Sequence, residues 1–329
     1  MSELPRSILV YVGSDSFDDG LMKLPFVRAL RAAYPDARIT WLAGKGKTAY
    51  AGGLAPVVGG LLDDVIEDAK IGSQWWELLR SPWRDRSFDL VIDTQRSILT
   101  TLILKRFRHQ TFVSGAGGHL FSDCKPARRQ PKPLTMIRQM LDLVELATGR
   151  PVQAGAPLHI DETTEREAER RLPGGVVYVG MAPGAGGKHK CWPLENFIAL
   201  AMRQSKTGRV PVIFLGPEER HWEDEVRDAL PGAILPLEDG SSPLLTIALG
   251  RRLNVAVAND SGAGHLLAAA EVPLISLFGP TAPAKFAPVA PDLTVMRAQD
   301  FGGATMDAIP LNAVSDAVDR ILAAEHSPY

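Results

Sequence analysis

The fold is decided by one stretch of the chain, residues 176–204, which reads VVYVGMAPGAGGKHKCWPLENFIALAMRQ. It opens with an apolar run rich in valine, continues through a glycine-rich segment and ends in a helical pattern. A strand that is apolar on both faces is typical of a parallel sheet covered by helices. A glycine-rich loop between such a strand and a helix lets backbone N–H groups approach an anion closely.

The same alternation of short apolar strands and helical patterns extends over most of the chain. The predicted strands are Ser7–Val12, Arg38–Ala43, Leu90–Asp93, Val176–Met181, Val210–Leu215, Val255–Ala258 and Leu274–Leu277. The predicted helices are Leu24–Tyr34, Leu134–Thr148, Glu162–Arg171, Glu195–Gln204, Glu219–Leu230, Gly262–Ala270 and Leu311–Ala324. This alternation predicts an α/β fold built on parallel sheets.

The length of 329 residues suits two domains, at roughly 100–200 residues for each. A helical pattern ends near Gly149, and a fresh strand–helix series opens after Leu172–Gly175. We therefore predict Rossmann-like domains at residues 1–160 and 161–329, with the last helix free to pack on either one. Two such domains would leave a cleft, and the ligands of open α/β sheets bind beyond the carboxyl ends of the strands.

Composition narrows the class of protein. Hydrophobic residues make up 45% of the chain and charged residues 22%, and the net charge of −2 does not favour nucleic acid as a partner. No apolar run approaches the roughly 18–20 residues that span a bilayer. Only Cys124 and Cys191 could supply thiols, and their spacing fits neither a disulfide framework nor a zinc site. We expect a cytoplasmic protein with no metal and no bound cofactor.

The glycine-rich loop is the first candidate binding segment. Gly184, Ala185 and Gly186 offer backbone amides, and Lys188 and Lys190 add positive charge at the same place. A phosphate site is one interpretation of this pattern. A flexible connecting loop with two solvated lysines is the other, and the segment alone does not decide between them.

A second candidate segment follows the strand Val255–Ala258. Ser261 and Gly262 lie at the start of a helix, where free N–H groups and the helix dipole attract phosphate. Asp260 suits sugar hydroxyls, which donate hydrogen bonds to a carboxylate. The alternative is that Asp260 or Ser261 only caps the helix and that His265 is a core histidine.

Charge is concentrated in two further segments. The predicted loop Ser14–Gly20 contains three acids, so that it either supplies a general base or is a solvated loop with one helix cap. Basic residues dominate the segment Arg96–Arg138, which predicts either contact with an anionic acceptor or a solvated basic face. The candidate acceptor contacts in this segment are Arg128, Arg129 and Lys132.

Together these segments resemble glycosyltransferase family 9, the heptosyltransferases of bacterial lipopolysaccharide synthesis, over most of the chain. The matching segments are Ile8–Val10, Phe17–Pro25, Val27–Leu30, Tyr34–Ile39, Phe88–Asp93, Lys190–Pro193, Leu215–Glu219, Asp260–His265 and Leu277–Thr281. The most specific are Asp-Ser-Gly-Ala-Gly-His at 260–265 and Phe-Gly-Pro-Thr at 278–281.

The resemblance implies a GT-B fold, with two Rossmann-like domains facing each other across a cleft. It implies an inverting, metal-independent transfer of a sugar, typically from ADP-heptose, to a cell-envelope glycolipid at the inner face of the membrane. The protein would then contact this membrane peripherally. Asp19 would be the catalytic base and Lys190 would stabilise the leaving diphosphate, with the amides near Gly184–Gly186 and Ser261–Gly262.

The remaining roles implied by the resemblance concern the donor. Asp260 would hold sugar hydroxyls, Glu219 or Glu218 the ribose, and His265 a phosphate oxygen. The chain departs from the family where Asp18 replaces the usual glycine before the catalytic aspartate. That departure favours one alternative, a non-catalytic nucleotide-sugar sensor or scaffold. A sugar-nucleotide epimerase with the same architecture is a third hypothesis.

Overall fold

The computed structural model describes residues 4–126, 135–152, 156 and 158–325, and the chain divides into two units, Met1–His159 and Ile160–Tyr329. The elements of the first unit are β1 (Ser7–Val12), α1 (Phe17–Ala33), β2 (Arg38–Ala43), β3 (Asp64–Ile66), β4 (Ser87–Asp93), α2 (Ile98–Leu104), β5 (Arg108–Ser114) and α3 (Met136–Thr148). Its five strands are parallel and lie in the order β3-β2-β1-β4-β5. Buried side chains such as Leu9, Tyr11 and Val91 form the core on one face of this sheet.

The second unit repeats the same plan. Its elements are α4 (Glu162–Arg171), β6 (Tyr178–Ala182), α5 (Leu194–Lys206), β7 (Val210–Ile213), α6 (Glu223–Ala229), α7 (Pro243–Gly250), β8 (Val255–Asn259), α8 (Gly262–Ala269), β9 (Leu274–Phe278), α9 (Pro283–Phe286), β10 (Leu293–Arg297) and α10 (Leu311–Glu325). The parallel strands lie in the order β10-β9-β8-β6-β7. The last helix packs its apolar face, including Val314 and Val318, into the core of this unit.

Each sheet places the loops that follow its central strands at one edge. In the second unit β6 lies between β8 and β7, so the segments after these three strands share the carboxyl edge. In the first unit β1 lies between β2 and β4 in the same way. In each unit the chain first extends the sheet on one side of the central strand and later crosses to the other side. These switch points lie beside β6 and β1, and ligands of open α/β sheets bind at the carboxyl ends of the strands there.

The structure corrects the predicted start of the first helix. The prediction began at Leu24, but α1 begins at Phe17, so Asp18 and Asp19 lie in its first turn and not in a loop. The side chain of Ser16 accepts a hydrogen bond from the Asp19 N–H, and the Asp19 carboxylate accepts one from the Ser16 N–H. This reciprocal capping box stabilises the helix seven residues earlier than the apolar pattern indicated.

The predicted helix Glu219–Leu230 is also different, because its first part is a 3₁₀ turn, Pro217–Trp222, and α6 begins only at Glu223. Within the described ranges, no helix combines the length and the apolar composition that crossing a bilayer requires.

Candidate functional site

The glycine-rich loop after β6 is held in place by a buried side chain at the end of β8. Asn259 is fully buried, and its side-chain N–H donates to the carbonyl oxygen of Pro183 at 2.7 Å. Its side-chain oxygen accepts a hydrogen bond from the Trp192 backbone N–H at 3.1 Å. One amide therefore fixes both ends of the segment that contains Gly184, Ala185, Gly186, Lys188 and Lys190.

Lys190 and Asp260 bring the two candidate segments of this unit together. The distance between Lys190 Nζ and Asp260 Oδ2 is 3.4 Å. Asp260 is buried, whereas 28% of the Lys190 side chain remains exposed. The lysine also lies 5.8 Å from the ring centroid of Phe286. The Lys190 ammonium has three donors and is partly exposed, so it can bind an anionic ligand while it keeps its contact with Asp260. Lys188 is exposed nearby, in the same 3₁₀ turn.

Glu219 connects the turn after β7 with the glycine-rich loop. A Cβ atom added to Gly184 would lie 2.3 Å from the Glu219 carboxyl carbon, so only glycine permits this close approach. Burial and the nearby Glu218 carboxylate raise the pKa of Glu219, although backbone hydrogen bonds, including one from Gly216, act in the opposite direction. A partly desolvated carboxylate of this kind favours partners that donate hydrogen bonds, such as hydroxyl groups.

The start of α8 combines a helix cap with a neutral histidine. Ser261 is the N-cap residue, and its Oγ accepts a hydrogen bond from the Gly264 N–H at 3.3 Å. The Ser261 hydroxyl therefore has the capping role, while Gly262 presents its amide in the first turn. Burial lowers the pKa of His265 to about 4, although the charge of Asp260 acts in the opposite direction. His265 is thus neutral near pH 7, so its ring offers an N–H donor and not a positive charge.

The acids of the first unit have different environments. Asp15 is buried, forms an ion pair with Lys23, and accepts hydrogen bonds from Trp41 Nε1 at 3.2 Å and Thr48 Oγ1 at 3.0 Å. Asp19 is only partly buried and lies at the carboxyl end of β1, at the third position of α1. Asp15 is therefore a structural residue, and Asp19 is the better placed of the two for contact with a ligand.

The basic segment is only partly covered by the structure. Arg128, Arg129 and Lys132 lie outside the described residues. Of the described basic side chains, Lys105 pairs with Asp123 at 3.3 Å, and Arg138 pairs with Asp142 and Glu145. Across the part of the chain that the structure describes, no three His, Cys, Asp or Glu side chains are grouped as metal ligands.

Comparison with known proteins identifies the family of this arrangement. The model of glycosyltransferase family 9 (heptosyltransferase) matches residues 76–307. The chain belongs to glycosyltransferase family 9. Among curated proteins, it is 25% identical over 287 residues to lipopolysaccharide heptosyltransferase 1 of Pseudomonas aeruginosa, covering 84% of this chain and 79% of the relative. It is 29% identical over 154 residues to lipooligosaccharide heptosyltransferase 2 of Haemophilus influenzae, covering 45% of this chain and 44% of that protein.

Solved structures of this glycosyltransferase family share the fold. A family 9 glycosyltransferase from Veillonella parvula has a TM-score of 0.69 and 19% identity, with 97% of each chain covered. The ADP-heptose heptosyltransferase II of E. coli has a TM-score of 0.67 and 19% identity, with 98% of this chain and 100% of that chain covered. The α/β prediction and its GT-B form are thereby confirmed.

The sequence indicated no role for Asn259 or Phe286, and Thr281 was noted only as part of the Phe-Gly-Pro-Thr match. Asn259 fixes the glycine-rich loop, and its signal was its place at a strand end, directly before Asp260. Thr281 follows β9 at the same edge, and among the described residues its buried Oγ1 has no hydrogen-bond partner. Phe286 packs beside Lys190, and no pattern in the sequence indicated that contact.

Proposed function

We propose that this glycosyltransferase transfers a heptose from ADP-heptose, with inversion, to a lipopolysaccharide acceptor of the cell envelope. Two kinds of observation support the proposal. The relatives are named for heptose transfer to lipopolysaccharide or lipooligosaccharide, and one solved neighbour is an ADP-heptose enzyme. The carboxyl edge of the second sheet supplies the types of group that a nucleotide-sugar requires.

The observation that carries the proposal is the cluster of three loops at this edge. The amides of Gly184–Gly186 and the Lys190 ammonium suit a diphosphate, while the desolvated Glu219 carboxylate suits ribose hydroxyls. Asp260 is 3.4 Å from Lys190, so a sugar that donates hydroxyl hydrogen bonds to Asp260 also has its anomeric phosphate near the lysine. His265 adds a neutral N–H donor.

The proposed reaction is a single displacement at the anomeric carbon. The acceptor hydroxyl oxygen forms a bond to this carbon while the bond from the carbon to the ADP oxygen breaks. The Asp19 carboxylate takes the hydroxyl proton, as a general base. The negative charge that develops on the leaving diphosphate is stabilised by Lys190 and by the backbone amides of the glycine-rich loop. No step in this scheme requires a metal ion.

One observation favours a second candidate, a non-catalytic nucleotide-sugar-binding protein. The carboxylate of Asp19 is used in the capping box with Ser16, which gives it a structural role as well. Its hydrogen bond from Ser16 N is long, 3.4 Å, and a carboxylate has further lone pairs for a second partner. Capping therefore does not prevent Asp19 from accepting a proton.

The test is an assay of the full chain with ADP-heptose and a heptose-deficient lipopolysaccharide, with and without a chelator. We expect mass spectrometry to show one added heptose, NMR to show an inverted anomeric centre, and the chelator to have no effect. ADP-glucose is the matched donor control. Tight donor binding without turnover would favour the non-catalytic candidate. Conversion of the donor without any acceptor would indicate an epimerase.

A further inference from the structure

Three exposed apolar side chains of one segment in the first unit belong neither to the apolar core nor to the proposed reaction. The 3₁₀ turn Trp75–Leu79 lies between β3 and β4. Trp75 is 64% exposed, Trp76 is 52% exposed and Leu79 is 72% exposed. Three large apolar side chains exposed within five residues are uncommon on a soluble protein and mark an interaction surface.

The segment is fixed to the unit, so its exposure is not the result of a loose loop. The Glu77 carboxylate accepts hydrogen bonds from the backbone N–H groups of Gly72, Ser73 and Gln74, at 2.7, 3.0 and 2.6 Å. Leu78 packs against the core of the unit, as Leu99 and Trp83 do. The turn therefore partly buries Leu78 and leaves the two tryptophans exposed.

Basic side chains lie close in sequence to these exposed side chains. Residues 70–86 contain four basic side chains against two acidic ones, while the whole chain has a net charge of −2. Arg80 and Arg84 are exposed directly after the turn. Of the two acids, Glu77 has its carboxylate occupied by the three backbone N–H groups. The charge is thus local to this segment and complementary to an anionic surface.

The combination of tryptophan with arginine indicates which partner fits. Indole rings are amphipathic and concentrate at the level of lipid headgroups, and each basic residue near an anionic leaflet adds attraction. A single turn with two such signals gives weak, reversible binding at the surface, not insertion. We propose that Trp75, Trp76 and Leu79, with Arg80 and Arg84, form a peripheral docking surface for an anionic lipid bilayer.

The position of this docking surface agrees with an acceptor that resides in a membrane. The segment leaves the carboxyl edge of the first sheet, where Thr100 Oγ1 donates to the Gly72 carbonyl at 2.8 Å and the Tyr11 hydroxyl donates to the Ile71 carbonyl at 2.6 Å. Asp19 follows β1 at that same edge. This inference rests on the proposed function, because an enzyme whose acceptor is a glycolipid has to reach that acceptor at the membrane surface.

The experiment is sedimentation of the full chain with vesicles of phosphatidylcholine alone or mixed with phosphatidylglycerol, without donor or acceptor. We expect binding to the mixed vesicles that weakens as salt is raised. The variant Trp75→Ser/Trp76→Ser should lose at least tenfold in vesicle affinity, and Arg80→Gln/Arg84→Gln about fivefold for each arginine. The matched controls, Val289→Ser/Phe301→Ser and Arg166→Gln/Arg320→Gln, replace exposed residues of the second unit and should bind as the wild type does.

Three results would overturn the docking surface. They are wild-type protein that does not distinguish the two vesicles, variants that bind as the wild type does, and a dimer in solution that the tryptophan variant disrupts. If the double variant unfolds, Leu79→Glu gives the same test with one exposed residue. Nucleotide affinity measured on the same samples separates the two hypotheses, because loss of vesicle binding alone leaves the proposed reaction intact.

Discussion

The carboxyl edges of the two sheets differ in how their buried acids are satisfied, although the strands follow the same plan. In the first unit Asp93 ends β4 and accepts hydrogen bonds from Gln95 N at 2.8 Å, Thr101 Oγ1 at 2.6 Å and Ser114 Oγ at 2.9 Å. Burial still raises its pKa. Asp15 is held in a similar way by donors of its own unit. These acids stabilise the fold.

The charged side chains at the carboxyl edge of the second unit are paired less fully than those of the first. Lys190 and Asp260 form a long ion pair, and Glu219 lies partly desolvated against Gly184. Groups in this condition gain more from a ligand than acids that already have their donors, and they cluster at binding sites. The surrounding donors, and not burial alone, therefore distinguish an acid with a structural role from one that is available to a ligand.

The largest expected effect is at Asp19, which is only partly buried, unlike Asp15 and Asp93 of the same unit. We predict that Asp19→Asn lowers the rate of sugar transfer by about 100- to 10,000-fold, because the amide cannot take the acceptor proton. Affinity for the nucleotide should remain unchanged, as measured by calorimetry.

Asp18→Asn is the matched control for this substitution, because it removes the neighbouring carboxylate from the same turn. Equal losses in both variants, or activity in Asp19→Asn close to that of the wild type, would reject Asp19 as the base. The comparison also decides which of the two acids is catalytic.

A second prediction compares one ion pair of each unit, Lys23–Asp15 and Lys190–Asp260. Asp15→Ala leaves Lys23 buried without its partner and should lower the free energy of unfolding by about 3–5 kcal/mol. Asp260→Ala should lower it by less than about 1 kcal/mol, since Lys190 is partly exposed, but should weaken nucleotide-sugar binding. Urea denaturation measures both variants, and similar losses of stability would contradict the contrast.

A third prediction concerns pH. The pKa of His265 is about 4 in the folded chain and about 6.5 when unfolded, so the unfolded state binds more protons between these values. The stability contributed by neutral His265 is therefore present above pH 6.5 and lost as the pH falls towards 4, by up to about 3 kcal/mol. The His265→Gln variant should lack this part of the pH dependence, whereas His189→Gln, which changes an exposed histidine, should keep it. Identical pH profiles for wild type and His265→Gln would show that His265 is not held neutral.

The strands could be predicted because a run that is apolar on both faces must be covered on both sides of a sheet. The strands at residues 7–12 and 38–43 match the prediction at both ends. The strand β5 was not predicted, since Arg108–Ser114 begins with polar residues. The helix α7 was not predicted either, since Pro243–Gly250 is buried nearly all round and has no polar face. The start of α1 was predicted too late, because the acids indicated a loop although the capping signal Ser16-x-x-Asp19 was present.

The site was predictable as a set of loops but not as a set of contacts. Parallel strands bring the segments after β6, β7 and β8 to one edge, and that much follows from the alternation of elements. The contact of Glu219 with Gly184 depends on how the turn after β7 folds, which no local pattern specifies. The bridge made by Asn259 depends in the same way on the distance between two loops.

The most direct test of the second edge as the donor site is calorimetric titration with ADP, UDP, GDP and dTDP. The wild type is compared with Lys190→Ala and with Lys206→Ala, which removes an exposed lysine from the end of α5. We predict selective binding of ADP, weakened by more than about 1 kcal/mol in Lys190→Ala alone, as a lost charge-assisted contact requires. Preference for another nucleotide would contradict the ADP-sugar donor. Equal affinity in both variants, or no binding of any nucleotide, would contradict the donor site itself.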